Sequence, residues 1–361
     1  MRALAEAGAV LGVALVATAL VLSGCGGDAP TARVGGHRVK TVSDEVEPHL
    51  RFFGPHSFWN TAVPGDAAVD PHSPELVAAL AGTAAREAEA GSGPWISTDR
   101  YSVPIYRVPA DQPRVAVRLE GHPTDGALRA AWRKVPLPGR ARPAAGSDGH
   151  LVVWQPHSDR LWEFWRLRRT PAGWVAGWGG AMRDVSTAPG VYDRRSWPGS
   201  EPWWGASASS LSIAGGLITL EDLEAGEIDH ALAISLPEIR AGVYALPARR
   251  SDGTSTDPLS LPEGAHLQLD PGLDIAALHL PRLTRMIAEA AQRYGIFVRD
   301  IAGDVTFYGQ DATPTGRDPY AGPGGFFRGR TPVELLSRFP WDKLRVLKMR
   351  LRPDPSGEKA R

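Results

Sequence analysis

The fold class expected from the sequence is mainly β: an antiparallel β-sandwich or jelly roll with a few peripheral helices. Proline and glycine, 32 and 40 of them, break the chain at short intervals, as many short strands joined by turns require. Short strand-like runs lie between those breaks, and few segments carry the spacing of a helix.

In chain order, residues 74–89 are expected to form the first helix. Strands are expected over 102–108, 114–119, 150–155, 161–168 and 174–181. A short helix over 220–224 has Thr219 and Asp222 placed as a capping box. Strands follow over 228–236, 243–246 and 266–269. The clearest helix covers 281–294, where Leu283, Met286, Ile287, Ala290 and Tyr294 recur at helical spacing. It should lie on a sheet and end at Gly295. Strands over 296–299 and 305–308 complete the set.

Residues 9–22 form an apolar run, short for a membrane-spanning helix of ~20 residues and suited to a signal-peptide core. It ends in Leu22-Ser23-Gly24-Cys25, which resembles the lipobox of bacterial lipoproteins. That resemblance implies cleavage before Cys25 and diacylation of its thiol. Cys25 is the single cysteine, so an exported domain would hold no disulfide. The expected organisation is a signal peptide over 1–24, a lipidated cysteine and tether over 25–50, one β-sandwich domain over 51–351 and a disordered tail over 352–361. Such a protein would sit on the outer face of a cell membrane, held by two acyl chains without a spanning helix. Lysine plus arginine and aspartate plus glutamate number 40 each, which leaves no electrostatic footprint for nucleic acid.

The segment 149–169 packs tryptophans, a histidine and a glutamate around the sequence Pro-His-Ser-Asp. If residues 156–159 form a four-residue hairpin loop, Gln155 faces Arg160, Trp154 faces Leu161, Val152 faces Glu163 and His150 faces Trp165. One face then carries Leu151, Val153, Trp162 and Phe164, a core face. The other carries His150, Val152, Trp154, Glu163 and Trp165, with Trp174 and Trp178 added by a third strand whose small residues, Gly177, Gly179 and Ala181, let another layer approach. Four indoles beside an imidazole and a carboxylate suit a sugar-binding platform. The alternative is burial of both faces, with Glu163 satisfied by Arg166, Arg168 or a backbone donor. Asp148 sits at the strand entrance, where a carboxylate could reach the same face, although Ser-Asp-Gly also makes an ordinary turn.

Glu227-Ile228-Asp229 resembles the start of the E-x-D-x-x-E strand motif of laminarinase-type glycoside hydrolases, where alternate carboxylates serve as nucleophile, helper and acid. Ala231 and Leu232 stand at the far end, so the second glutamate is absent. His230 is expected to be a hydrogen-bonded core histidine, with Asp229 on the opposite side and free to face a ligand. In the loop 247–257, Asp252, Thr254, Thr256 and Asp257 offer oxygens for a calcium ion, but their spacing departs from the EF-hand pattern and Arg249 and Arg250 oppose a cation. Those arginines suit the carboxylate of an acidic sugar instead. The segment 197–210, with Trp203 and Trp204, reads as a long loop fit to wall a cleft or simply to pack.

The chain has no G-x-S-x-G elbow, H-E-x-x-H, P-loop or dinucleotide-binding glycine pattern, and its ten histidines show no zinc spacing. No cofactor or metal is therefore expected beyond that calcium possibility. The segments 58–61, 147–154, 226–232 and 293–300 together resemble a family of exported bacterial proteins. That resemblance implies one exported domain and brings no activity with it.

Three functions remain open at this level. The first is a surface-anchored glycoside hydrolase or polysaccharide lyase. A hydrolase would use Glu163 with Asp148 or Asp229 as its carboxyl pair, and a lyase would use His150 or a tyrosine as base with Arg249 neutralising a uronate. In either, Trp154, Trp165, Trp174 and Trp178 would hold the polysaccharide or cell-wall glycan. The second is a non-catalytic glycan- or wall-binding lipoprotein. The third is a structural envelope protein, for which both faces of the 150–165 hairpin would be buried.

Overall fold

The computed structural model describes residues 51–120 and 125–354, within one compact unit spanning Pro48–Arg361. The apolar run 9–22, Cys25, the tether 25–50 and most of the tail 352–361 lie outside the described residues. No helix among the described residues is long and apolar enough to cross a membrane.

The protein is mainly β, as the punctuation implied, and among the described residues the strands lie in four mixed or small sheets. A six-stranded sheet has the order β1 (Trp95–Ser97), β13 (Thr306–Tyr308), β9 (Leu232–Leu236), β12 (Ile296–Ile301), β11 (His266–Leu269), β15 (Leu344–Val346). A five-stranded sheet has the order β14 (Gln310–Asp311), β2 (Val103–Arg107), β4 (Leu151–Gln155), β5 (Arg160–Trp165), β8 (Trp178–Arg183). β3 (Val117–Leu119), β7 (Gly173–Ala176) and β6 (Arg168–Thr170) make a small sheet, and β10 (Val243–Ala245) pairs with β16 (Leu351–Pro353). The pairing is mixed: β1/β13, β9/β12, β2/β4, β2/β14 and β3/β7 are parallel, and the other ladders are antiparallel.

Two apolar clusters flank the six-stranded sheet. Leu232, Ile234, Ile296 and Val298 point to one side, against α1 (Ser73–Ala90) and α4 (Arg282–Arg293). Ala233, Phe297 and Tyr308 point to the other, into a cluster shared with the five-stranded sheet. α4 buries Leu283, Met286, Ile287 and Ala290, the residues whose spacing marked it. α1 stops at Gly91, which takes the left-handed conformation that a side chain resists. Three short helices, α2 (Gly126–Ala131), α3 (Leu220–Ala225) and α5 (Pro332–Leu336), complete the set.

The Phe58–Thr61 segment is a structural pin. The Trp59 indole is 1% exposed and donates to Gly190 O, while the Asn60 amide donates to the carbonyls of Phe52, Phe53 and Gly54. At Gly216, with φ +68°, a Cβ would fall 2.4 Å from the Ala233 nitrogen and 2.6 Å from the Trp59 ring, so only glycine lets this turn close on the sheet.

α3 carries the expected capping box, Thr219 with Asp222, and Asp222 also holds His230. His230 is buried, its Nε2 3.1 Å from Asp222 Oδ2 and its Nδ1 2.9 Å from Ala231 O. Burial alone would lower the histidine pKa, but the Asp222 carboxylate and these hydrogen bonds outweigh it, and the net shift is upward from 6.5. Stability from this pair is therefore full below about pH 6.5 and is lost as pH rises through the raised folded value. His230→Gln should cost about 1–3 kcal/mol below pH 6.5, and the gap between the two proteins' melting temperatures should narrow toward pH 9. A gap that stays constant with pH would refute the pairing.

Candidate functional site

The hairpin register is the one the loop length implied. β4 pairs with β5 through Val152↔Glu163, Trp154↔Leu161 and Gln155↔Arg160. The third strand differs: at Gly177 the chain leaves one sheet for another, so Trp174 on β7 belongs to the small sheet, while Trp178 on β8 lies directly across from Trp165. Trp174 and Trp178 are 7% and 8% exposed, and Trp154 and Trp165 are half-buried. Arg107 lies over the Trp154 ring at 5.4 Å and Arg166 over the Trp165 ring at 4.8 Å. The second face of the hairpin is thus covered, and no open indole platform stands on it.

Glu163 explains the covering. Its side chain is fully buried, and its two oxygens accept from Ala206 N at 2.7 Å, Ser212 Oγ at 2.6 Å and Ile213 N at 3.1 Å. Burial raises its pKa, partly offset by those donors and by the Arg299 charge. The Tyr192 phenol sits against the same carboxylate and is pushed well above its usual pKa, first by burial and then by Glu163. Gly180, paired with Glu163, makes room for it: a Cβ there would fall 2.4 Å from the Tyr192 ring. The donors come from the 205–213 loop, not from Arg166 or Arg168, so a backbone loop closes over the face that alternation had left open.

His150 lies in the same interior, 7% exposed, with neither ring nitrogen hydrogen-bonded; the Ala206 backbone is near but outside regular hydrogen-bond geometry. Burial lowers its pKa to about 4, against the pull of Asp148. Arg299, 1% exposed, donates to Ile213 O at 3.1 Å and Gly215 O at 3.2 Å, and its guanidinium lies 4.0 Å from the Tyr308 ring centroid. A bulge in β12 between Val298 and Asp300 takes Arg299 out of register. Asp229 is partly exposed and pairs with Arg51 at 3.6 Å, and residues 228–230 precede β9 as loop, so Glu227 and Asp229 do not share a strand face. Arg249 is half-buried, its backbone N–H donating to Ser209 O.

Asp148, among the predicted site residues, reaches an open cavity. It lines a cleft of about 710 Å³ together with Trp95, Arg100, Tyr101, Asp304 and Tyr308. Trp95 and Tyr101 are 38% and 42% exposed, unusual for large aromatic side chains in a folded protein. Asp148 accepts from the Trp165 indole at 3.2 Å, which fixes it at the cleft wall. Trp95 also borders a neighbouring depression of about 470 Å³ carrying Asp99, Asp311 and Asp318. Neither Trp95 nor Tyr101 lies in a run that the sequence makes recognisable: β1 is three residues long and Tyr101 sits in a bend with positive φ.

A second constellation lies behind β12. Asp252, Glu263 and Asp300 bring carboxylate oxygens within 4.8 Å of one another. Asp300 accepts from Ala208 N at 3.0 Å, and burial together with the Asp252 carboxylate raises its pKa to about 7. Glu263 is pushed well above the ordinary range by burial and by both neighbours. Of the loop oxygens considered for calcium, only Asp252 takes part; Asp257 caps its own turn, accepting from Leu259 N at 2.8 Å. No protein-family model, curated protein or solved structure matches the chain.

Proposed function

We propose that this is a surface-anchored protein that binds and hydrolyses a polysaccharide or cell-wall glycan in the cleft between Trp95 and Tyr101. One observation carries the reading: two exposed aromatic rings flank a cleft whose walls hold the carboxylates Asp148 and Asp304. Flat rings stack on the C–H faces of pyranose sugars, while carboxylates and Arg100 fix hydroxyls. A pair of carboxyl groups is also what glycoside hydrolysis needs, one as acid and the other as base or nucleophile. The two carboxylates carry hydrolysis; elimination would draw on Arg100 with Tyr101 or Tyr308 in the same cleft, since Arg249, the expected uronate partner, does not line it. Lipidation at Cys25 and export belong to the same proposal and rest on the N-terminal sequence. So does a sandwich of the five- and six-stranded sheets, since Val153, Trp162 and Phe164 share one apolar cluster with Ala233, Phe297 and Tyr308.

Burial of both hairpin faces, taken alone, favours a structural envelope protein; the separate cleft outweighs it. The bond from the Trp165 indole to Asp148 supports one further reading, a cleft that binds glycan without cutting it. The test incubates the protein with neutral and acidic polysaccharides, following reducing ends, absorbance from unsaturated uronates and tryptophan fluorescence. Hydrolysis releases reducing ends without absorbance. Trp95→Ala should weaken binding about tenfold, as loss of one stacking ring does, and Asp148→Asn should retain binding and lower release at least tenfold. A fluorescence change without release selects the binding-only reading, and silence in all three overturns the glycan proposal.

A further inference from the structure

The acidic constellation behind β12 stands apart from the cleft and needs its own account. Asp252 and Glu263 both lie on the connection between β10 and β11, and Asp300 lies in the bulge of β12, so two segments distant in sequence bring their carboxylates to one point. Asp252 is exposed and opens the cluster to solvent. Glu263 has no exposed surface, and neither of its oxygens finds a donor in regular hydrogen-bond geometry, Ser251 and Asp252 being its nearest polar neighbours. A buried carboxylate without donors is costly unless something positive shares its pocket.

Arg299 acts on Asp300 but donates to Ile213 O and Gly215 O, and Arg250, the other nearby fixed cation, also sends its hydrogen bonds elsewhere: to Ser210 Oγ at 3.0 Å, Ser207 O at 2.7 Å and Gly205 O at 3.3 Å. Its charge is felt by the cluster, but those donors hold the 205–210 loop. We propose that Asp252, Glu263 and Asp300 form a divalent-cation site of the calcium class, tying the β10–β11 connection to β12 of the six-stranded sheet. Oxygen-only ligands select a hard cation. Two oxygens on one calcium can be up to about 5 Å apart, whereas magnesium, with bonds near 2.1 Å, limits them to about 4.2 Å. All three oxygens lie within 4.8 Å of one another, inside calcium's span, and the fully buried Glu263 suits calcium better than magnesium, which keeps several waters. Water reaching the Asp252 side completes the shell.

The full chain in mild detergent, stripped with chelator and dialysed, is titrated with calcium chloride by calorimetry and melted with and without the ion. One calcium per chain is expected, with Kd between roughly 10 µM and 1 mM and a Tm rise of at least about 3 °C at hundredfold excess over Kd. Magnesium should bind at least tenfold more weakly. Asp252→Asn, at the exposed carboxylate, should melt near the metal-free wild type and bind calcium at least tenfold more weakly. Absence of heat and of any melting shift with calcium means that the carboxyls share protons in place of an ion, and the proposal falls. Binding that Asp252→Asn leaves unchanged overturns the site, and magnesium binding as tight as calcium overturns the class.

Discussion

Glu163→Ala is expected to lower stability by about 3–5 kcal/mol, because it strands a buried constellation built around one carboxylate. Ala206 N, Ser212 Oγ and Ile213 N all donate to it, and all are sealed from water by Tyr192 and the 205–213 loop. Arg299, whose guanidinium binds Ile213 O and Gly215 O, would lose one of its buried counter-charges. The same loop accepts the hydrogen bonds of Arg250, so loosening at Ser212 spreads toward Asp300 through Ala208. For a domain of this size the melting temperature should fall by roughly 10 °C. Glu163→Gln should cost less, about 1–2 kcal/mol, since one amide oxygen still accepts while its NH₂ faces a donor. Thermal and denaturant unfolding of both variants decide it. A carboxylate reserved for catalysis would show the opposite pattern, unchanged or raised stability with lost activity, and an alanine variant melting within a degree of wild type would refute the structural role.

This contrast shows what in the site was legible in the sequence. Alternation and loop length gave the pairing of Glu163 with Val152 correctly, because a period of two and a four-residue connection determine register locally. They could not say what lies over that face. The cover comes from Gly205–Ile213, some forty residues on, and from Tyr192 fitted against Gly180, contacts of long separation that leave no local period. Trp95 and Tyr101, the exposed rings of the cleft, come from a three-residue strand and a bend, too short to carry a pattern. The acidic constellation had a partial signal: after the apolar run Ile296, Phe297 and Val298, the pair Arg299 and Asp300 continues the strand with charges, and burial of such residues needs partners. Which partners, Asp252 and Glu263, depends on how β10, β11 and β12 are brought together. The longer helices, by contrast, were visible because each writes its buried face at a spacing of three and four.

Acidification from pH 6.5 to 4 is expected to remove about 3 kcal/mol of stability through His150 alone. Burial holds its pKa at about 4, and each unit of separation from the unfolded value of 6.5 is worth about 1.4 kcal/mol. A lowered folded pKa means that the unfolded chain takes up the proton first. The contribution is therefore complete above pH 6.5 and disappears as pH falls toward 4. Carboxyls whose pKa burial raises, Asp300 to about 7 and Glu163 as well, respond to falling pH with the opposite sign, so the wild-type curve alone does not isolate the effect. His150→Leu does: the residue is 7% exposed and neither ring nitrogen is hydrogen-bonded, so leucine of similar size should match wild type within about 1 kcal/mol at pH 7.5. At pH 4 the variant should be the more stable by about 2–3 kcal/mol. Chemical unfolding of both proteins at half-unit steps provides the comparison, and parallel curves would show that folded His150 takes up its proton as readily as the unfolded chain does. That outcome would also bear on the cleft, since Asp148, two residues away, is the carboxylate whose charge pulls on His150 from the cleft wall.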